Sequence, residues 1–171
     1  MRQSASRRRE LPGNPASAIY GSIITASVLA AQGPYPPTLL QLTGLMLGTS
    51  FVFWIAHAYT DVLGQRVGAG GDGVTGGVRA AAGGYWHALR EEWPIIEACV
   101  LPVAILIVVY AFGAALTTAI AVALLMDVVE LTGWAALAAR QRGLGWRPGL
   151  VFTAGNGLLG VGIVALKVLM H

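Results

Sequence analysis

Residues 93–140, "WPIIEACVLPVAILIVVYAFGAALTTAIAVALLMDVVELTGWAALAAR", decide the fold class. The stretch is apolar almost throughout, and its charged residues are Glu97, Asp127, Glu130 and Arg140. A single helix over 94–139 would be about 69 Å long at 1.5 Å per residue. The hydrocarbon core of a bilayer is only roughly 30 Å thick. Phe112, Gly113 and Ala114 break the run near its middle, so the spacing predicts two spans, 94–112 and 115–139, joined as a hairpin.

Composition extends this reading to the whole chain. Of 171 residues, 56% are hydrophobic and 11% charged, and the mean hydropathy is +0.67. Soluble domains carry about 25% charged residues, so this chain lacks the charge to cover a water-facing surface. The net charge is +3, but the cations are scattered among apolar runs and form no basic stripe, which excludes a nucleic-acid interface. A single cysteine, Cys99, precludes an intrachain disulfide, and with three scattered histidines it excludes a structural zinc module.

Three further spans follow, at 15–32, 39–63 and 148–170. Asn14 is placed to cap the first, with Pro15 at its first helical position. Only helices satisfy every backbone group from within one lipid-embedded segment. The expected fold is therefore all-α: a polytopic bundle of five transmembrane helices, residues 15–171, behind a basic tail, 1–14. Residues 64–84 form a glycine-rich loop, and "YWHALREEW" (85–93) places Tyr85, Trp86, Leu89 and Trp93 on one face, as an interfacial amphipathic helix does.

Charge sets the topology. With the N-terminus inside, all ten arginines fall on the cytoplasmic side, while "GPYPPT" (33–38) and "FGA" (112–114) carry no charge. The positive-inside rule thus predicts a multi-pass protein of the cell membrane, as in a bacterial inner membrane, with its C-terminus outside. Lys167 falls near the outer end, where its stem is expected to snorkel outward. "SRRREL" (6–11) resembles a twin-arginine export signal, but the arginine pattern works with the first helix retained. "GAGGDG" (68–73) matches the letters of a dinucleotide fingerprint without the preceding strand, and reads as a linker.

The informative residues are the polar ones inside the spans. Thr43, Ser50 and His57 recur at seven-residue spacing with Asp61 one turn on, a polar stripe along the second helix. Gly44 and Gly48 form a GxxxG pair on another side, suited to close packing against a neighbouring helix or a second subunit. Asp127 lies near mid-bilayer, with Glu130 one turn further in, and Glu97 is close to the start of the third span. Ser22, Thr25, Thr153 and Asn156 fall at similar depths, so one polar layer is expected between the midplane and the cytoplasmic face. A charge at the bilayer centre costs about 2.5–3.5 kcal/mol on insertion scales, and protonation, mutual hydrogen bonding or a bound cation would relieve it. Pro102 cannot donate to the carbonyl of Ala98 and is expected to kink its helix.

Two resemblances each cover about one helix. "HAYTD" (57–61) is an HxxxD pair and resembles the zinc-ligand pair of cation diffusion facilitators. That family carries a second pair and six spans, whereas this chain has one pair and five. "FWIAH" with "HAYTD" also resembles the FxxxH and HxxxD elements of prenyl-protein-type intramembrane glutamic proteases, but Ile96 stands where their EExxxR element requires arginine.

No serine-nucleophile motif, haem site or P-loop is present in the sequence, and it identifies no catalytic residue and no cofactor. The expected function is a small permeation or carrier unit for protons or a cation. Asp127 and Glu130 would form its site, with His57, Asp61 and Glu97 as relay groups or ligands. A thin bundle of this kind is expected to form a homo-oligomer in the lipid bilayer, through Gly44 and Gly48. The alternative is a non-catalytic scaffold or accessory subunit whose polar network fixes helix register.

Overall fold

The computed structural model describes residues 14–68 and 78–170. The basic tail with Arg2, Arg7, Arg8 and Arg9, and the middle of the glycine-rich loop, lie outside the described residues. The described chain forms helices only: α1 (Pro15–Ala30), α2 (Leu39–Gly68), α3 (Val78–Glu91), α4 (Pro94–Ala111), α5 (Leu116–Gln141) and α6 (Trp146–Met170).

Local chemistry explains where these helices start and stop. Asn14 accepts from the Ala16 N–H at 3.1 Å, and Pro15 occupies the first turn of α1. Thr38 and Gln41 cap α2 reciprocally: the Gln41 side chain accepts from the Thr38 N–H at 3.0 Å, and the Thr38 hydroxyl accepts from the Gln41 N–H at 3.3 Å. The α4–α5 turn passes through Gly113 at φ 90°. The α5–α6 turn is a Schellman motif, with Gly143 at φ 64°, its N–H donating to Arg140 and the Leu144 N–H donating to Ala139.

Four stretches are long and apolar enough to cross a bilayer: Leu39–Gly64, Gly83–Ala111, Leu116–Gln141 and Trp146–Leu169. The protein is an all-helical membrane bundle, with α1 as a shorter apolar helix of 16 residues. α3 runs into α4 through a two-residue turn at Glu92 and Trp93 and packs along α2. There the Trp54 indole N–H donates to the Leu89 carbonyl at 2.8 Å, and Trp54 and Trp93 meet edge to face.

The short apolar helix α1 is the centre. α1 packs against α2, α4, α5 and α6, and its buried face is made of Ser17, Ala18, Gly21, Ser22, Thr25 and Ala26 together with Ile24 and Leu29. Small residues allow close approach where lipid supplies no hydrophobic drive between helices. At Gly21 the approach is closest, since a Cβ there would stand 2.6 Å from the Ile95 carbonyl oxygen of α4. On α6, Gly157 faces Thr132 and Gly160 faces Val128 and Leu131 of α5, whereas Gly155 and Gly162 meet nothing. Large apolar side chains point the other way: Phe51 and Val52 on α2, and Leu150, Val151, Leu158 and Leu166 on α6, are exposed.

The interior has two storeys. One apolar cluster joins the C-terminal half of α1 (Ala26, Leu29), the start of α2 (Leu42, Met46), the end of α4 (Val103, Leu106), the start of α5 (Ala119, Ile120) and, at its edge, Ile163 and Val164 of α6. α1, α2, α4, α5 and α6 therefore alternate in direction, and both uncharged turns lie at the cluster's end. Lys167 closes the same end, but not by reaching outward. Its ammonium donates to the carbonyls of Leu29 at 3.0 Å and Gln32 at 2.8 Å. The ammonium is drawn inward because the carbonyls at and just beyond the C-terminus of α1 carry the negative end of its dipole.

Candidate functional site

Below the apolar storey lies a polar layer, and its depth can be read from the helix ends. Ser50 and Asp127 each lie eleven residues after the first residue of their helices, Leu39 and Leu116. Cys99 lies twelve residues before Ala111, the last of α4. At 1.5 Å per residue all three stand about 16–18 Å from the uncharged end. Accordingly, the Cys99 thiol sits against the hydroxyls of Ser50 and Thr25 and near enough to Asp127 and Glu130 to feel their charge.

Asp127 interrupts a buried apolar stripe of α5, Ile120, Ala123, Leu124, Leu131 and Ala135, at helical spacing. The stripe forces its carboxyl into the bundle, where it is 1% exposed. Ser22 and Thr25 of α1 and Ser50 of α2 are buried as completely. Thr25 donates its hydroxyl hydrogen to the Gly21 carbonyl at 3.1 Å. Among the described residues, both Asp127 oxygens, the Ser22 and Ser50 hydroxyls and Glu130 Oε2 have no hydrogen-bond partner. Glu130 is half-buried one turn further on, and its Oε1 accepts from the Trp134 indole at 3.2 Å. Pro102 is buried within α4 and withholds from the Ala98 carbonyl, beside Cys99, the donor a helix normally supplies.

The other expected site residues stand apart from this layer. His57 is seven residues beyond Ser50, about two turns lower, and half-buried, with its ring 4.4 Å from that of Tyr20. Asp61 follows one turn later, half-exposed. Glu97 is exposed on the outside of α4, because two residues separate it from buried Cys99 and rotate it by roughly 200°. On α6, Asn156 spends its amide on the Phe152 carbonyl of its own helix, at 2.9 Å. Gly44 and Gly48 are exposed and a Cβ on either meets nothing, so within one chain they pack against no helix. With Leu45, Thr49, Val52 and Phe53 they line a shallow apolar groove.

Two participants escape a reading by motif. Cys99 has no partner residue in sequence, and only its distance from the Phe112–Ala114 break, counted against that of Asp127, places it at the same depth. Glu92 is 9% exposed with Oε2 unpartnered, at the α3–α4 turn. Among the described residues no group of three or more His, Cys, Asp or Glu side chains stands close enough to hold a metal ion. No protein-family model, no curated protein and no solved structure matches the chain.

Proposed function

We propose that the protein is a small carrier or channel unit that moves protons or a cation across the cell membrane. Asp127 is the central group and Glu130 the next toward the arginine-bearing end. His57 and Asp61 serve as successive relay positions near the cytoplasm, and Glu97, which faces out of the bundle, takes no part. The N-terminus is cytoplasmic, and the open Gly44–Gly48 face of α2 meets a second copy.

The observation that carries this reading is Asp127 itself, 1% exposed with neither oxygen partnered among the described residues. A buried carboxyl without a donor must be neutralised by a proton or a cation, at a cost otherwise of about 2.5–3.5 kcal/mol. Intramembrane acids in that position characteristically mark ion pathways. In liposomes loaded with a pH-sensitive dye, the wild-type protein is expected to collapse an imposed proton gradient faster than empty vesicles, and Asp127→Asn to remove the difference. Flux undiminished in a folded Asp127→Asn variant would refute the assignment.

A second reading, a scaffold or accessory subunit, is favoured by one observation: α1, which carries Ser22 and Thr25 of the polar layer, packs against α2, α4, α5 and α6. It predicts wild-type vesicles no leakier than empty ones, with Asp127→Asn changing only stability.

A further inference from the structure

We infer that the polar layer is an oxygen-lined binding site for an alkali-metal cation, held by the Asp127 carboxylate with the hydroxyl oxygens of Ser22, Thr25 and Ser50. The inference rests on the proposed ion-handling function and names the class of ion.

Charge comes first. Asp127 and Glu130 lie one helical turn apart, and among the described residues neither forms an ion pair with a lysine, arginine or histidine. The layer is therefore short of positive charge. A proton on Asp127 would cancel one charge and add one donor to a layer whose unpartnered groups are all oxygens. A cation uses them all, because every hydroxyl and carboxyl oxygen offers it lone pairs.

Thr25 sharpens the distinction between a cation and a donor group. Its hydrogen is committed to the Gly21 carbonyl at 3.1 Å, so its oxygen can present only lone pairs to the layer. Buried to 1%, it cannot turn those lone pairs to water outside the bundle.

Donor chemistry then selects the ion. Carboxylate and hydroxyl oxygens are hard ligands suited to hard cations, and the soft group beside them, the Cys99 thiol, is a single ligand where copper and zinc sites take several. Calcium takes six to eight oxygens, commonly from several carboxylates, and no such concentration of acids exists among the described residues. Glu130 commits one oxygen to Trp134 at 3.2 Å. One fully buried carboxylate among neutral hydroxyls balances one positive charge, as an alkali cation carries.

The test is thermal unfolding of the purified protein in detergent, followed by tryptophan fluorescence at constant ionic strength. Sodium or potassium chloride replaces choline chloride, whose cation is too large for the layer. Saturable stabilisation by sodium or potassium over choline is expected, since a ligand bound only by the folded state raises the midpoint. In Asp127→Asn the effect should vanish, and in Ser50→Ala and Thr25→Val the apparent affinity should fall at least about tenfold. Should Asp127→Asn not fold, the two hydroxyl variants still decide the matter. Equal midpoints in all three salts, or an alkali response unchanged in the hydroxyl variants, would overturn the site. Proton flux persisting in vesicles without any alkali response would reject this cation site and leave the ion-handling function standing. Absence of both would reject both.

Discussion

Gly21 and Gly44 are both helix-interior glycines in apolar surroundings, and their environments are opposite. A Cβ on Gly21 would be 2.6 Å from the Ile95 carbonyl oxygen and 2.9 Å from its Cα, both backbone atoms that cannot swing aside. A Cβ on Gly44 meets nothing within 4 Å. Gly21→Ala should therefore force α1 and α4 apart and cost about 1–3 kcal/mol, the usual range for overpacking, read as a lower unfolding midpoint in detergent. Gly44→Ala should leave the midpoint of the single chain unchanged, and a loss there as large as at Gly21 would show that α2 is covered by protein. The same contrast separates the acids. Asp127 and Glu97 each interrupt an apolar run, but helical phase turns one into the bundle and the other out of it.

At the scale of the element, α1 is the helix whose sequence most understates its role. It is short and rich in serine, threonine, alanine and glycine, which reads as a weak span. In the bundle those residues are its contact face, and their small size is what lets four helices approach it. Its C-terminus is held by Lys167 of α6 through two charge-assisted hydrogen bonds, to Leu29 and Gln32. Hydrogen bonds to charged groups contribute about 1.5–3 kcal/mol, so Lys167→Met should lower stability by an amount in that range. Lys167→Arg should recover part of it. A lysine that merely snorkelled to water would tolerate methionine without loss, so unfolding of the methionine variant at the wild-type midpoint would contradict the cap.

For the whole molecule, the decisive feature is segregation into an apolar storey and a polar storey across alternating helices. The apolar cluster gathers the ends of α1 and α4 with the starts of α2 and α5, which puts Tyr35, 95% exposed, and Phe112, 88% exposed, at one end. Arg140, Arg142 and Arg147 flank the α5–α6 turn at the other. Single cysteines at 35 and 112, in a Cys99→Ala background, should react in intact cells with a membrane-impermeant maleimide. A cysteine at 142 should react only after permeabilisation, in keeping with arginines on the cytoplasmic side. Labelling of all three from outside would reverse the assignment of the arginine-bearing end. Wild-type protein, whose sole cysteine is fully buried, should stay unlabelled while folded.

Much of this was legible in the chain. Hydrophobic runs measured against bilayer thickness yield the all-helical class and the places of the apolar helices, and Gly113 yields the hairpin, because length and a single breaker are local properties. The limits differ around the expected loop 64–84, where α2 runs on to Gly68 and α3 already starts at Val78. The Asn14 cap and the presence of Asp127 and Glu130 within a span are equally local. The neighbours of each polar group were not legible, for they depend on the rotation and offset of one helix against another, which an apolar stripe specifies poorly when lipid and protein are both apolar. Only the packed bundle decides that the Cys99 thiol meets the hydroxyls of Ser50 and Thr25 and that Glu97 faces outward. The same packing makes Gly21, rather than Gly44 and Gly48, the close contact, and turns Lys167 inward onto the C-terminal end of α1.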